Sequence, residues 1–257
     1  MKKRITTGAI GGAVFLSLLY IGGIGYGVLL FFIAFLGFYE WLRMNSIHIW
    51  NISSIIGFVF TTYYFLPSSL TAGPTLEALI LELMLLLIVP VVTKNKTSIH
   101  EIAYILLGSL YIGTSLHFMM ETRLLEDGLI LTLTILIAVW TTDSAAYFVG
   151  KAIGKRKLWP TISPNKTIEG SLGGILFAVG FVAILTFLTS ELTLSYALML
   201  ALTVSISGQL GDLVESAVKR TLNVKDSGQI LPGHGGILDR FDSLIFVFPV
   251  LHLFSLI

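Results

Sequence analysis

The chain has 257 residues, of which 55% are hydrophobic and only 12% are charged, and its mean hydropathy is +0.89. This composition excludes an ordinary soluble globular domain and indicates an integral membrane protein. The absence of cysteine excludes disulfides, zinc–thiolate centres and thiol catalysis. A net charge of +1 excludes little by itself, because in a membrane protein the placement of the basic residues matters more than their sum.

Apolar stretches of about the length that crosses a bilayer, roughly 20 residues each, occupy nearly the whole chain. They predict one all-α polytopic membrane domain over 1–257, with N-terminal helices in 1–127 and a catalytic half in 128–257. No small-residue cleavage site follows the basic MKKR start, so we expect a retained first helix rather than a signal peptide. The nine predicted spans are 6–22, 24–42, 52–67, 72–92, 101–120, 128–148, 168–189, 192–212 and 237–256.

The basic residues test this count, because cytoplasmic loops of membrane proteins carry an excess of lysine and arginine. With the N-terminus in the cytoplasm, nine alternating spans leave fifteen of the 16 basic residues inside and only Arg123 outside. A missed or false span would scramble this distribution, so the sequence predicts a cytoplasmic N-terminus and an external C-terminus. The inside set comprises Lys2, Lys3, Arg4, Arg43, Lys94, Lys96, Lys151, Lys155, Arg156, Lys157, Lys166, Lys219, Arg220, Lys225 and Arg240.

Acidic residues gather next to two polar cytoplasmic loops, predicted over 149–167 and 219–236. A charged side chain in a membrane helix costs about 2.5–3.5 kcal/mol at the centre, so it needs a partner or a water-filled cavity. Spacings of three and four place Asp212, Glu215 and Lys219 on one helical face. The predicted topology brings a further set of acids to the same cytoplasmic depth, namely Asp143, Asp239 and Asp242.

This carboxylate cluster predicts a magnesium site. Clustered carboxylates repel one another unless a cation lies between them, and a set of oxygen ligands without histidine or cysteine suits Mg²⁺. Because Mg²⁺ usually completes its shell with water and substrate phosphates, the cluster also predicts a phosphate-bearing substrate. A second cation remains an alternative, and so do simple salt bridges from Asp212 or Asp239 to Lys219 or Arg240, or from Glu215 to an arginine. The predicted metal ligands are Asp143, Asp212, Glu215 and Asp239.

Two glycine- and proline-containing segments precede helices beside this cluster. In LPGHGGILDRFDS, the glycines let the backbone turn sharply or approach a ligand, and a helix beginning at Ile237 is expected to offer free N–H groups. In ISPNKTIEGS, Thr167 is placed to cap the next helix, with Glu169 close behind. The lysines and arginines of both loops are then available to neutralise phosphate oxygens.

The run SAVKRTLNVKDSGQILPGHGGILDRFD, residues 216–242, resembles the signature of phosphatidate cytidylyltransferases, also called CDP-diacylglycerol synthases. The upstream block DSAAYFVGKAIGKRKLWPTISPNKTIEGS is also similar to that family, with Ser144 where threonine is expected and Asn165 where lysine is frequent. The matching positions of the signature are Ser216, Lys219, Arg220, Lys225, Asp226, Pro232 to Gly236, Asp239, Arg240 and Asp242.

The resemblance implies a magnesium-dependent homodimer in the plasma membrane that joins CTP and phosphatidic acid at a site open to the cytoplasm. It also implies Asp212 and Asp239 as the central metal ligands, and no nucleic-acid partner. The expected catalytic residues are Asp212, Asp239, Lys219, Arg240 and Asp242. The expected substrate-binding residues are Lys166, Ser163, Asn165, Lys219, Arg220, Lys225, His234, Gly235, Gly236 and Asp143.

Several alternatives stay open. A transporter would carry ionisable residues near the bilayer midplane, whereas here they crowd at one face. A CTP-dependent polyprenol or dolichol kinase would share the same metal and phosphate chemistry. His234 serves as a general base or, as we expect, as a hydrogen-bonding group. Glu77 and Glu82 serve helix packing, dimerisation or function, and the aromatic residues expected as membrane-interface anchors are Trp41, Trp50, Tyr63, Tyr64 and Phe65.

Overall fold

The computed structural model describes residues 2–189 and 192–257. The side chains of Lys2, Lys3 and Arg4, on which the topology prediction partly depends, lie outside the described residues. Over its described part, the chain forms nine α-helices and one antiparallel hairpin. These are α1 (Lys2–Ile21), α2 (Gly23–Met44), α3 (Ile52–Phe65), α4 (Leu76–Val92), α5 (Ile99–Leu124), α6 (Gly128–Ile153), β1 (Lys157–Trp159), β2 (Ser163–Thr167), α7 (Ile168–Thr189), α8 (Leu194–Thr221) and α9 (Leu238–Leu253).

Each predicted span coincides with one of these helices, which confirms an all-α membrane protein. Five helices are long and apolar enough to cross a bilayer, namely α2, α5, α6, α7 and α8. The helices α4 and α9 have 17 and 16 residues. Nine crossings and the orientation of the termini therefore remain predictions.

The two polar loops are shorter than predicted. Helix α6 continues to Ile153 and α8 to Thr221, so the Lys219 side chain projects from a helix rather than from a loop. The hairpin β1–β2, which the sequence analysis did not predict, occupies most of the first loop, with Lys157 paired to Thr167 and Trp159 to Ser163.

The chain folds as two compact units. Unit 1 comprises Met1–Leu124 and Asp226–Arg240, and unit 2 comprises Leu125–Lys225 and Phe241–Ile257. Helices α1 to α5 and the first residues of α9 therefore belong to unit 1. Helices α6 to α8, the hairpin and the rest of α9 belong to unit 2.

In unit 1, Trp41 of α2 stacks on Tyr104 of α5, with ring centroids 4.8 Å apart. The Trp41 indole N–H donates to the Tyr104 carbonyl at 3.0 Å, and the Tyr104 hydroxyl donates to the Trp41 carbonyl at 2.8 Å. Trp41, Tyr64 and Phe65 are all buried, so their prediction as interface anchors is wrong: helix packing inside the unit takes up these rings. Trp50 is exposed.

The fully buried Glu82 supports a packing role. Its carboxylate accepts hydrogen bonds from the Tyr64 hydroxyl at 2.9 Å and the Ser109 hydroxyl at 2.5 Å. Both carboxylate oxygens are thus satisfied, and the contacts join α3, α4 and α5. Glu77 is exposed in the first turn of α4, where a negative charge interacts favourably with the helix dipole.

Arg123, the one basic residue predicted to lie outside, caps a helix. Its Nε donates to the Leu19 carbonyl at 2.8 Å and its Nη2 to the Tyr20 carbonyl at 3.2 Å. These carbonyls belong to the last turn of α1, where no intrahelical donor remains. The exception to the charge pattern therefore has a structural explanation within unit 1.

In unit 2, α6 and α7 pack closely at Gly174. A Cβ at this position would lie 2.8 Å from the Thr142 carbonyl oxygen and 3.1 Å from the Ala146 Cβ. We expect Gly174→Ala to destabilise the protein by about 1–3 kcal/mol, because the backbone of α6 must move. Gly180→Ala on the same helix is the control, since a Cβ there meets nothing within 4 Å. Thermal unfolding in detergent checks the prediction, and equal midpoints for the two variants would contradict it.

Candidate active site

The polar side chains of α8 form a row along one face. The Ser216 hydroxyl donates to Asp212 Oδ1 at 3.2 Å, and Lys219 Nζ pairs with Glu215 Oε2 at 2.5 Å. Both contacts join residues four apart, which confirms the predicted helical face. The partner of Glu215 is thus Lys219, and the alternative of an arginine partner is wrong. Glu215 and Lys219 are both buried, so their charges offset each other away from water.

The hairpin delivers a second lysine to the same row. Lys166 Nζ of β2 lies 2.6 Å from Asp212 Oδ2, and the two side chains are 27% and 31% exposed. Asp212 therefore pairs with Lys166 rather than with Lys219, as the salt-bridge alternative had it. An ion pair this accessible contributes about 1 kcal/mol or less to folding. Lys166 can consequently exchange Asp212 for a phosphate oxygen at small cost.

Backbone contacts fix the hairpin that carries Lys166. Thr167 Oγ1 accepts the Gly170 N–H at 3.1 Å, which confirms the predicted cap of α7. The Glu169 carboxylate accepts the N–H groups of Lys155 and Arg156 at 3.0 and 3.2 Å. The position of Lys166 is therefore set by the fold of this loop.

Arg220, which the resemblance assigns to substrate binding, ties the hairpin to the end of α8. Its Nε donates to the Ile162 carbonyl at 3.3 Å and its Nη1 to the Val224 carbonyl at 3.2 Å. Ser163 and Asn165 lie on the strand β2 beside Lys166, half-buried and exposed respectively. Their contact with substrate, like that of Arg220, stays a prediction.

A close helix approach brings a second aspartate near Asp212. A Cβ at Gly211 would lie 2.8 Å from the Asp242 carbonyl oxygen and 2.7 Å from the Phe246 Cβ, so only glycine allows α8 and α9 to meet here. The charges of Asp143, Asp212 and Asp242 lie close enough to repel one another, and Lys166 acts on Asp143 in the opposite sense. Unit 2 thus brings together four of the predicted acids and two of the predicted lysines, namely Asp143, Asp212, Glu215, Asp242, Lys166 and Lys219.

The second polar segment forms a tight turn in unit 1. The Leu231 N–H donates to the Gly235 carbonyl at 3.0 Å, and the His234 N–H donates to the Leu231 carbonyl at 2.9 Å. Gly233 and Gly235 have φ values of +78° and +82°, which non-glycine residues rarely adopt. The glycines therefore serve the sharp turn that the sequence predicted.

The N-terminus of α9 is closed by carboxylates. Asp239 Oδ2 accepts the Gly236 N–H at 2.8 Å, and Glu40 Oε2 accepts the Leu238 N–H at 3.0 Å. The expectation of free N–H groups for a ligand at this end is wrong, because helix N-termini favour acidic partners and the chain supplies two. Asp239 belongs to unit 1 and Asp212 to unit 2, and each acts within its own unit as described.

Other predicted residues of the segment lie at its surface or against α1. Arg240 and Lys225 are exposed. The His234 ring lies next to α1, where a Cβ on Gly8 would come within 2.9 Å of Nε2. The buried His234 Nδ1 has no hydrogen-bond partner. The role of His234 in phosphate binding stays a prediction.

Glu40 is the site residue that sequence reasoning missed. It is a single carboxylate inside the apolar run FLGFYEWLRM of α2, and it is 1% exposed. The signal available was the cost of burying an acid in such a run, which requires a partner. That partner lies nearly 200 residues away along the chain, so no local pattern reveals it.

The donor set fits Mg²⁺. Within the described part of the chain, no group of three or more histidine, aspartate or glutamate side chains is assembled to hold a metal. Mg²⁺ requires only one or two protein carboxylates when water and phosphates complete its shell. Asp212 is accessible and lies near Asp143 and Asp242, and the ligands are all oxygen atoms, as this ion prefers.

We expect Lys166→Ala to lower turnover by about 10- to 100-fold, since it removes the positive charge from Asp212 and from any phosphate bound there. The thermal midpoint should change little, because the pair is accessible. Lys96→Ala, in the loop between α4 and α5, is the control. Steady-state kinetics on purified protein decide the matter, and equal activity of the two variants would exclude a role for Lys166.

Comparisons with known proteins place these features in a wider group. The model of the cytidylyltransferase family matches residues 2–257. The chain is 43% identical over 260 residues to a protein of Bacillus subtilis (strain 168), covering 98% of this chain and 96% of the relative. It is 42% identical to a protein of Staphylococcus aureus (strain COL) and 40% identical to one of Staphylococcus haemolyticus, with 98% of each chain covered. All three relatives bear the name phosphatidate cytidylyltransferase.

Proposed function

The chain belongs to the cytidylyltransferase family, and from this premise we propose that it transfers the cytidylyl group of CTP to phosphatidate, giving CDP-diacylglycerol and pyrophosphate. The observation that carries the proposal is the similarity to enzymes of that name over 98% of the chain, which includes both polar blocks. The cluster of carboxylates and lysines in unit 2 agrees with a reaction between two phosphate-bearing substrates.

The reaction requires charge neutralisation more than proton transfer. The second pKa of a phosphate monoester is about 6, so phosphatidate is largely a dianion at neutral pH. One of its oxygens attacks the α-phosphorus of CTP, a new P–O–P bond forms, and the bond to the β-phosphate breaks to release pyrophosphate. No strong general base is needed, which favours a hydrogen-bonding role for His234.

The side chains described above divide this work. Lys166 neutralises phosphate oxygens from the hairpin, while Lys219 keeps the buried Glu215 compensated at the other end of the row. Arg240 and Lys225, which are exposed, meet the more distant phosphates of CTP. Holding both anions in line converts the encounter into a nearly unimolecular step.

Mg²⁺ belongs to the proposal as the cofactor. Asp212 with Asp143 or Asp242 would hold it in unit 2, and Asp239 is the predicted ligand in unit 1. When bound, Mg²⁺ supplies positive charge to the phosphate oxygens and to the departing pyrophosphate. Glu215 is the weakest of the four predicted ligands, because it is buried against Lys219.

We further propose that the site faces the cytoplasm from the plasma membrane and that the protein is a homodimer. The distribution of lysine and arginine supports the orientation. CTP is a cytoplasmic nucleotide, so the orientation also gives the enzyme access to its soluble substrate.

Pyrophosphate release by the purified protein in detergent tests the function. The reaction contains Mg²⁺, CTP and phosphatidate, and parallel reactions replace CTP with ATP, replace phosphatidate with diacylglycerol or a polyprenol, or add EDTA. We expect release only with CTP, phosphatidate and free Mg²⁺ together. Phosphorylation of the alcohol in place of pyrophosphate release would establish a CTP-dependent lipid kinase and overturn the proposal.

A further inference from the structure

Glu40 of α2 is a buried carboxylate with no role in the chemistry above. Its Oε2 accepts the Leu238 N–H at 3.0 Å and the Ser227 hydroxyl at 3.1 Å. Its Oε1 is buried without a hydrogen-bond partner. An acid that is 1% exposed inside an apolar helix is costly unless its contacts compensate for the lost water.

The loop before α9 is shaped to receive this carboxylate. A Cβ on Gly228 or on Gly236 would collide with Glu40, and the one on Gly236 would also meet the Ser227 hydroxyl. Glycine at these two positions lets the loop backbone close around Glu40. The contact is therefore specific to this segment and is more than incidental burial.

Ser227 links Glu40 to Asp239. The Ser227 hydroxyl lies 3.1 Å from Glu40 Oε2 and 3.1 Å from Asp239 Oδ2, and its N–H donates to the same Asp239 oxygen at 3.0 Å. A serine hydroxyl has one proton to donate, so the two carboxylates share it. The state of Asp239 thus depends on Glu40 through a single side chain.

We propose that Glu40 is a positioning residue for the transfer reaction: it fixes the start of α9 and, through Ser227, the orientation of the Asp239 carboxylate. The inference rests on the proposed function, since Asp239 is a predicted ligand of the same site. Groups that orient such a residue affect activity by about 10- to 100-fold when removed. The first half of the chain, which resembles the family only in being apolar, would then supply an essential part of the site.

The test compares Glu40→Ala, Glu40→Gln and Ser227→Ala with the control Glu82→Ala in the full-length protein. Glu82 is equally buried and accepts two side-chain hydrogen bonds, but from Tyr64 and Ser109 in the α3–α5 packing. We expect kcat per folded molecule to fall about 10- to 100-fold in Glu40→Ala and Ser227→Ala. Glu82→Ala should lower the thermal midpoint and leave kcat within about threefold of the wild type.

Two further comparisons separate positioning from general stability. Glutamine keeps the size of Glu40 and a carbonyl oxygen that accepts the Leu238 N–H, so Glu40→Gln should recover most of the kcat lost in Glu40→Ala. The double variant Glu40→Ala/Ser227→Ala should be no slower than the slower single variant, because both residues act on the same carboxylate. Equal loss of kcat in Glu40→Ala and Glu82→Ala, or additive losses in the double variant, would overturn the proposal.

Amide hydrogen exchange supplies a readout that does not need activity. In Glu40→Ala, the N–H groups of Gly236 and Leu238 should exchange faster, while Glu82→Ala should leave them unchanged. Unchanged exchange would overturn the proposal even if activity fell. If the wild type releases no pyrophosphate, the proposed function has failed, and the exchange data still decide whether Glu40 holds this segment. If Glu40→Ala does not fold, Ser227→Ala and Glu40→Gln carry the test, and normal kcat in Ser227→Ala would overturn it.

Discussion

Asp212→Asn should reduce pyrophosphate release by at least about 100-fold while the protein stays folded. Asparagine has nearly the same shape, but it removes the negative charge that pairs with Lys166 at 2.6 Å and that would hold Mg²⁺. Folding should tolerate the change, because both partners are about one-third exposed. Turnover at saturating CTP and phosphatidate, together with the thermal midpoint in detergent, provides the measurement.

The matched control for Asp212→Asn is Asp127→Asn. Asp127 is exposed just before α6, and its side chain makes no capping hydrogen bond, so the same chemical change there should leave turnover unaltered. Raising Mg²⁺ should restore part of the lost activity of the Asp212 variant if the ion binds more weakly. Full activity at ordinary Mg²⁺ would remove Asp212 from the site.

Asp239→Asn should also abolish turnover without unfolding the protein. The asparagine carbonyl can accept the Gly236 and Ser227 N–H groups that Asp239 Oδ2 accepts, so the start of α9 should keep its geometry. The negative charge, which the reaction is proposed to require, is lost. The measurement is kcat together with hydrogen exchange at Gly236.

Comparison with Asp239→Ala separates the two functions of this carboxylate. Alanine removes both the charge and the accepting oxygen, so exchange at Gly236 should accelerate only in that variant. If Asp239→Asn were fully active, Asp239 would be a helix-capping residue alone, and the predicted metal ligands would be confined to unit 2.

The membrane class, the helix positions and the polar face of α8 could be predicted from the sequence. Hydropathy and the three- and four-residue spacings are local properties, and the helical geometry that converts spacing into proximity is the same in every protein. The motif at 216–242 also identified the family, because its residues are close together along the chain.

The partners of the charged residues could not be predicted in this way. Asp212 pairs with Lys166 because a hairpin between α6 and α7 brings strand β2 to α8, and no periodicity in the sequence indicates that hairpin. Trp41 and Tyr64, expected at the membrane interface, are buried because α2 and α3 both pack against α5 in unit 1.

The sequence by itself thus determined that this is a membrane protein of the cytidylyltransferase family with a charged cluster in its second half. Only the tertiary structure decided which carboxylates stabilise the fold and which remain accessible to a ligand. It placed Glu40, from the apolar first half, against the loop that precedes α9. The physical reason is that hydrogen bonds and ion pairs depend on distances of about 3 Å, and residues far apart in the chain reach such distances only when the helices have packed.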